Sequence, residues 1–297
     1  MGGSNNGSNN IPGAVFAQNM WQNFLRDKQA MAGLLIVLLF LAVGLLAPLI
    51  APHDPLQIDL ANKLLPPSLS YPLGTDHLGR CELSRLIYAT RVSLSNSILV
   101  LALILLISIP VGSVSGYAGG AIDNILMRIT DILLAFPSLV LSLAIAGLIG
   151  PSLAHLLIAL AAVLWAGYAR IIRGMVLQIK EKEFITAARA SGASHFNVVT
   201  RHIMLHAMTP IIALAALEVG GIILAISGLC FLGLGAQPPT PEWGVMLNDS
   251  RPYIQSDPNL MLYPGLAIFL VVGSFNLVGE GLRKAINPQS GGRMADR

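Results

Sequence analysis

A single carboxylate lies inside an otherwise apolar stretch of this sequence. Glu218 is the only charged residue between Met208 and Leu232. A carboxylate at the depth of a bilayer is costly, so it usually faces a cavity or a polar partner. Two interpretations remain open on the residues alone. Glu218 either lines a translocation pathway and attracts a cationic or metal-chelate solute, or makes a structural hydrogen bond to a neighbouring span or subunit.

Three histidines form the second group that could do chemistry. His195, His202 and His206 are separated by seven and four residues, which places them on one face of a continuous helix. Histidines four residues apart can ligate zinc. However, no Glu follows His202, as a His-Glu-x-x-His zinc hydrolase requires, and Gly192 and Thr200 weaken a continuous helix. Polar residues near a cytoplasmic partner are therefore favoured, and no metal site is predicted.

The sequence contains no motif for nucleotide binding or for redox chemistry. No Gly-rich phosphate loop ending in Gly-Lys-Ser or Gly-Lys-Thr occurs, so any nucleotide must be bound by another subunit. Cys81 and Cys230 are far apart and match no metal or redox spacing, which favours two free thiols. No catalytic residue and no bound cofactor are predicted, and the net charge of +3 gives no indication of nucleic acid.

The elements that hold these residues must be suited to lipid. Hydrophobic residues make up 54% of the 297 residues and charged residues 11%, against roughly a quarter charged in ordinary soluble domains. So few charges could not cover a soluble protein of this size, whereas lipid accepts an apolar exterior. The composition therefore predicts an all-α, polytopic membrane protein.

Uncharged stretches of about 20 residues define the spans. The uncharged run between Asp131 and Arg170 is too long for one helix, and the Gly-Pro break at 147–152 divides it. About six transmembrane helices are predicted: 31–50, 92–114, one ending near 149, one starting near 153, 208–232 and 260–278.

The distribution of Lys and Arg predicts the orientation, because these residues accumulate in short cytoplasmic segments. With the N-terminus inside, thirteen basic residues fall on the cytoplasmic side and five on the outer side. Both the N- and the C-terminus are therefore expected to be cytoplasmic. The outer set is Lys63, Arg80, Arg85, Arg91 and Arg251.

Two smaller patterns bear on packing. Gly112, Gly116 and Gly120 recur every four residues, which favours close helix contact in lipid. Trp243 and Tyr253 lie in an outer loop and are typical of interfacial anchors.

The polar segment 178–206 connects the fourth and fifth spans and contains no proline. Good helix formers run through Ala190, Gly192 is a stop signal, and a second helix is expected from Phe196. A short helix held at the cytoplasmic face suits docking to a partner that moves. A loop that only connects two spans has the same properties, so the segment alone does not decide between them.

An ordered set of motifs along the chain resembles one family. Residues 183–192 (EFITAARASG) resemble the cytoplasmic loop motif of bacterial ABC importer permeases, in which Glu-Ala-Ala is followed three residues later by Gly. Thr186 stands where that motif often has Glu. Further strings are similar to the dipeptide, oligopeptide and nickel permeases: LGTDHLGR (73–80), DILLAFP (131–137), FLGLG (231–235) with PTPEWG (239–244), and FNLVGEGLR (275–283).

The resemblance implies a permease subunit of the type I ABC importer fold in a bacterial inner membrane. Such a permease pairs with a second homologous permease, two ATP-binding subunits and an extracytoplasmic solute-binding protein, with ATP and Mg on the ATP-binding subunits. The chain would then be no enzyme. The motif match implies coupling to the ATPase through Glu183, Thr186, Ala187, Ala188 and Gly192.

The spans and the resemblance together divide the chain. We expect an N-terminal tail, a first transmembrane helix, an extracytoplasmic loop, a five-helix permease core that contains the coupling segment 178–206, and a C-terminal tail. These cover 1–28, 29–52, 53–91, 92–288 and 289–297.

The solute is harder to predict than the family. Glu218 and the stretch WGVMLND at 243–249 look more like the nickel branch, which favours nickel or metal chelates over di- or oligopeptides. A passive channel and a membrane-embedded metalloenzyme using His195, His202 and His206 are the alternatives. Both would act without an ATPase.

Overall fold

The computed structural model of the protein describes residues 20–286, and its regular structure there is helical apart from one bridge between Thr75 and Cys81. The predicted all-α class is confirmed for this range. The expected C-terminal tail and most of the N-terminal one lie outside it. Residues 20–26 are helical, and short 3-10 helices lie at Leu60–Asn62 and Arg251–Tyr253. The other helices are α1 (Lys28–Leu45), α2 (Ala47–Ile50), α3 (Glu82–Ala118), α4 (Gly120–Leu134), α5 (Ser138–Ile149), α6 (Leu153–Lys180), α7 (Glu183–Ala190), α8 (His195–Phe231), α9 (Trp243–Ser250) and α10 (Asn259–Ile286).

Five of these helices, α1, α3, α6, α8 and α10, are long and apolar enough to cross a membrane. The pair α4–α5 makes a sixth crossing if it counts as one span, so the predicted count of about six is confirmed. The third span is nevertheless not one helix, because α4 and α5 meet at an angle of 82°. Pro137 accounts for the break, since its ring removes a backbone donor and disfavours a helical conformation at Phe136.

Several helices extend beyond the apolar stretches that predicted them. α3 begins at Glu82 rather than near residue 92, and α6 and α10 continue to Lys180 and Ile286. Backbone hydrogen bonds form within a helix both in lipid and in water, so a helix does not end where its apolar part ends. Hydropathy therefore located the spans but not the ends of the helices.

The helices alternate in direction, so their connections gather at two ends of the bundle. At one end, called the coupling end, Lys180 of α6 donates to the carbonyl of Tyr117 at 2.8 Å, and Lys284 of α10 lies 3.5 Å from Asp27. At the opposite end, called the capped end, the loop 53–81 covers the start of α3 and contacts α9. The loops predicted to be cytoplasmic and those predicted to be extracytoplasmic thus lie at opposite ends of the bundle. Which end faces the cytoplasm stays a prediction.

Helices α3 and α6 approach each other through two glycines. A β-carbon at Gly112 would lie 2.6 Å from the Ala169 carbonyl oxygen, and one at Gly116 would lie 2.9 Å from that of Arg173. Close contact through small residues is confirmed at both positions. Gly120 differs: it begins α4, and nothing lies within 4 Å of its β-carbon position.

Apolar side chains cover the periphery of the bundle, while α6 is the most enclosed span. Leu49, Leu148 and Phe269 are 81%, 88% and 71% exposed. Single exposed side chains of this kind are ordinary, but a periphery made of them requires lipid or partner subunits around it.

Candidate functional site

Helix α7 is fixed to the coupling end by one buried side chain. Ile185 is fully buried against Ile179 of α6 and Val198 and Ile203 of α8. Burying one isoleucine contributes about 1.5–3 kcal/mol. The short helix is therefore seated on the bundle rather than held only by its two connections.

The opposite side of α7 carries the residues predicted for coupling. Glu183, Thr186 and Ala187 are exposed, and Ala188 is half-buried. The side chain of Glu183 lies in the first turn, where a negative charge is favourable. This arrangement offers a partner a firmly seated helix with an open face.

Gly192 ends α7 through its backbone conformation. Its φ is +83°, which residues with a β-carbon rarely adopt. The Gly192 N–H donates to the Arg189 carbonyl at 3.0 Å, and the Ala193 N–H donates to the Ala188 carbonyl at 3.1 Å. These two bonds form the Schellman motif. The predicted stop at Gly192 is confirmed.

Tyr117, at the end of α3, connects the elements around α7. The Arg189 guanidinium lies 5.2 Å from the centre of its ring and the Lys180 ammonium lies 5.7 Å from it. The Tyr117 hydroxyl and His195 Nδ1 are 2.7 Å apart. We call Tyr117, Lys180, Arg189 and His195 the Tyr117 clamp. It ties α3, α6, α7 and α8 together at the coupling end.

The three histidines do not converge on a metal. His195 contacts Tyr117, whereas His206 stacks on Phe184 with ring centres 4.6 Å apart and its Nδ1 lies 2.7 Å from the His202 carbonyl oxygen. The segment Val198–Ile203 is a π-helix, so a face calculated for a regular α-helix does not apply. No group of three His, Cys, Asp or Glu residues among those described could hold a metal ion. The described side chains thus do not bring the three histidines together.

Glu218 lies near the middle of α8 and borders a cavity. The cavity measures about 310 Å³ and is partly open to the outside of the bundle. Its walls come from α5, α6 and α8, and contain four leucines beside Ser138 and Ser142. The Glu218 carboxylate lies beside the Tyr168 hydroxyl of α6. Both predicted interpretations therefore have structural counterparts, a cavity and a neighbouring hydroxyl group.

The capped end contains a buried ion-pair network that sequence patterns did not indicate. Arg80 and Arg85 are each only 1% exposed. The Arg80 Nε lies 2.6 Å from an Asp76 oxygen, and both guanidinium groups reach Asp249 of α9, at 3.4 and 3.5 Å. The network joins the loop 53–81 to α3 and α9, and thereby holds the cap on the bundle.

Glu242 was also missed, and it organises the capped end from inside. Its side chain is fully buried and accepts hydrogen bonds from the hydroxyls of Ser93 at 3.0 Å and Ser227 at 3.3 Å, and from the Val245 N–H at 3.0 Å. It is thus the N-cap of α9. Burial raises the pKa of the Glu242 carboxyl above its ordinary value, although the Val245 bond works in the opposite direction.

Trp243 corrects a prediction at the same place. It is fully buried, and its ring meets Phe40 of α1 edge-on at 6.3 Å, so it is a core residue and not an interfacial anchor. Cys81 and Cys230 are free and buried, which confirms the prediction of two free thiols.

Two known families match this chain, one over its larger C-terminal part and one near its N-terminus. Residues 108–291 match the family described as binding-protein-dependent transport system inner membrane component. Residues 16–67 match the N-terminal transmembrane domain of oligopeptide transport permease C.

Individual relatives share a large part of their length with this chain. The nickel transport system permease protein NikC of Escherichia coli is 42% identical over 86% of this chain and 92% of its own. The dipeptide transport system permease protein DppC of Alkalihalophilus pseudofirmus is 41% identical, over 89% and 87%. The glutathione transport system permease protein GsiD of Pectobacterium atrosepticum is 38% identical, over 92% and 91%.

Proposed function

The chain belongs to the family of inner-membrane components of binding-protein-dependent transport systems, and on that premise we propose that it forms half of the translocation pathway of an ATP-driven importer. It is a multi-pass membrane protein and an ABC importer permease, not an enzyme. Because the chain belongs to this family, the alternative hypotheses of a passive channel and of a membrane-embedded metalloenzyme are rejected.

The partners follow from this role. We propose that a second homologous permease completes the pathway, that two subunits bind ATP and Mg, and that an extracytoplasmic solute-binding protein delivers the solute. The coupling end would face the cytoplasm and the capped end the outside, in agreement with the thirteen-to-five distribution of basic residues.

The observation that carries the proposal is the seating of α7. A helix that transmits ATP binding must move together with the spans behind it. Ile185 and the Tyr117 clamp connect α7 to α3, α6 and α8. ATP binding then favours one of two access states only through contacts that differ between them. Glu183, Thr186, Ala187, Ala188 and Gly192 are the proposed contacts.

For the solute, we propose a nickel or metal chelate. The nickel permease relative and the carboxylate of Glu218 support this choice. The dipeptide relative has a similar identity, which supports di- or oligopeptides as the second candidate. Stimulation of ATP hydrolysis in the assembled complex by a Ni²⁺–histidine chelate, compared with dialanine, tests the choice.

The coupling role is tested at Gly192 with a matched pair of variants. No atom lies within 4 Å of a β-carbon placed there, so a substitution acts through the positive φ and not through a clash within the chain. Gly192→Val is expected to abolish uptake, while Gly192→Asn, which tolerates this conformation, retains most of it. Solute capture by the binding protein should be unchanged in both. Full uptake by Gly192→Val would contradict the coupling role.

A further inference from the structure

We propose that the cavity beside Glu218 binds a positively charged, hydrogen-bond-donating group of the solute, with Ser142 as an additional contact. The proposal rests on the proposed function, because the open side of the cavity must face the translocation pathway. It goes further by assigning a ligand chemistry and two contact residues, Glu218 and Ser142, to one place in the bundle.

The cavity combines one charge with an apolar wall. Leu139, Leu160, Leu164 and Leu224 line it together with Glu218. A carboxylate beside leucines and a partly open cavity cannot face lipid without a large cost. The open side therefore meets water or another subunit. In surroundings of low dielectric, one carboxylate attracts a cation much more strongly than it would in water.

Ser142 gives the independent sign that a ligand is needed. Its side chain is fully buried and lines the cavity, yet its hydroxyl has no hydrogen-bond partner among the described residues. Leaving a buried hydroxyl unpaired destabilises the protein, because the group has lost its hydrogen bonds to water without replacement. A donor or acceptor that enters the cavity would recover this free energy.

Glu218 also retains capacity for another donor. The Tyr168 hydroxyl occupies one position beside the carboxylate, whereas a carboxylate offers about four lone-pair sites. A solute group with several hydrogens can therefore bind Glu218 while the Tyr168 contact persists.

The cavity lies at the level where the third span breaks. The side chain of Leu134, the last residue of α4, lies 4.0 Å from a β-carbon placed on Gly167, next to Tyr168 in the middle of α6. Ser138 and Ser142 belong to α5, which starts just after the break. In transporters, solute sites near the bilayer midplane are commonly formed by such discontinuous helices.

The oxygen atoms of Glu218 and Ser142 determine which chemical class of ligand fits the cavity. One carboxylate and hydroxyls are poor ligands for a bare transition metal, which prefers imidazole or thiolate, and no cluster of three such ligands exists among the described residues. An ammonium group, or a cationic chelate whose own ligands carry hydrogens, fits both Glu218 and Ser142. Nickel, if transported, would then pass as a chelate.

Cysteine modification in the assembled complex tests the site without knowledge of the solute. Ser142→Cys places a thiol in the cavity, while the native Cys81 and Cys230 are buried and the parent chain provides the background. We expect a cationic methanethiosulfonate reagent to react at least about tenfold faster than an anionic one, because the carboxylate concentrates cations. In Ser142→Cys combined with Glu218→Gln, the ratio should fall to the value in free solution.

A matched control separates the cavity from burial in general. Ser108 of α3 is also fully buried with an unpaired hydroxyl, but it does not line the cavity. Ser108→Cys should not react with either reagent. Absence of reaction at Ser142→Cys, or a ratio that survives Glu218→Gln, would overturn the proposal.

The group that carries the positive charge is identified by testing which solute protects Ser142→Cys from modification, with binding protein and ATP present. Slower modification of Ser142→Cys with dialanine indicates an ammonium group. Slower modification with the equimolar Ni²⁺–histidine chelate, which keeps one positive charge, indicates a chelate. Protection by neither contradicts a solute site. These results are independent of the Gly192 variants, so uncoupling by Gly192→Val without cation selectivity at Ser142→Cys would reject only the site.

Discussion

At the scale of single residues, Glu218 and Glu242 show two ways of holding a carboxylate inside this bundle. Glu218 borders a partly open cavity and keeps room for another donor. Glu242 is fully buried, and three donors from α3, α8 and α9 surround it. The first arrangement suits a group that meets a solute, and the second suits a group that fixes the fold.

Glu218→Gln is expected to reduce uptake about tenfold, which corresponds to the loss of about 1.4 kcal/mol of attraction for a cation. Glu218→Asp keeps the charge and should retain part of the activity. Initial uptake rates in vesicles containing the assembled complex measure the effect, with the amount of complex determined in parallel. Unchanged uptake with an unchanged pH dependence would show that Glu218 does not line the translocation pathway.

Glu242→Gln should reduce the pH dependence of stability. Because burial raises the pKa of Glu242 in the folded state, its contribution favours folding at low pH. That contribution is lost as the pH rises from the ordinary value of 4.5 towards the folded value. Gln stays neutral and still accepts hydrogen bonds. The melting temperature of the variant should therefore fall less than that of the parent as the pH rises above the ordinary pKa of 4.5. Equal losses in the two proteins would contradict this account.

Residues differ in how far the sequence predicts them. Glu218 could be found because a charge in an apolar run is conspicuous. Arg80 and Arg85 become buried only when the loop 53–81 packs against α3 and α9. Glu242 becomes buried when the start of α9 packs against Ser93 and Ser227. Trp243 was misplaced for the same reason, since a loop tryptophan looks like an interfacial anchor until its neighbours are known.

At the scale of elements, α7 and its connections form the proposed transmission between ATP binding and the spans. Ile185 supplies apolar seating, and the Tyr117 clamp supplies polar and cation–π contacts. Both act at one short helix. Weakening either should therefore let α7 move without the bundle behind it.

The Tyr117 clamp can be tested with a pair of variants. Tyr117→Leu removes both cation–π contacts, worth about 1–2 kcal/mol together, and should lower the amount of solute imported per ATP hydrolysed several-fold. Tyr117→Phe keeps the ring and loses only the contact to His195, so it should remain near the parent. Uptake and ATP hydrolysis measured on the same preparation give this ratio. Identical ratios for Tyr117→Leu and the parent would show that the clamp plays no part in coupling.

Local signals predicted some elements well and others not at all. The stop of α7 at Gly192 follows from a glycine after good helix formers, a signal contained in a few residues. The π-helix at Val198–Ile203 has no comparable signal. Pro137 signals a break in the third span but does not fix its angle of 82°. Apolar composition marks a span equally well whether its helix is straight, broken or of altered pitch.

At the scale of the whole molecule, the two ends of the bundle have different tasks. The coupling end presents α7, and the capped end is closed by a loop fixed through buried ion pairs. The apolar periphery between them requires lipid or partner subunits around it. An importer needs such a separation, because its solute site must be accessible first from one side of the membrane and then from the other.

Orientation is tested by labelling one residue at each end. Ser191 follows α7 and Ser70 lies in the cap, and both are exposed. A membrane-impermeant maleimide added to intact cells should label Ser70→Cys and leave Ser191→Cys unlabelled until the membrane is opened, since the basic residues predict a cytoplasmic coupling end. The reverse pattern would invert the proposed direction of transport.

The most direct test of the account is solute uptake by proteoliposomes that contain either this chain alone or the complete assembly. We expect uptake of a Ni²⁺–histidine chelate or of dialanine only with the second permease, the ATP-binding subunits, the loaded binding protein and hydrolysable ATP all present. Uptake by this chain alone, or by the assembly without ATP hydrolysis, would contradict an ATP-coupled importer.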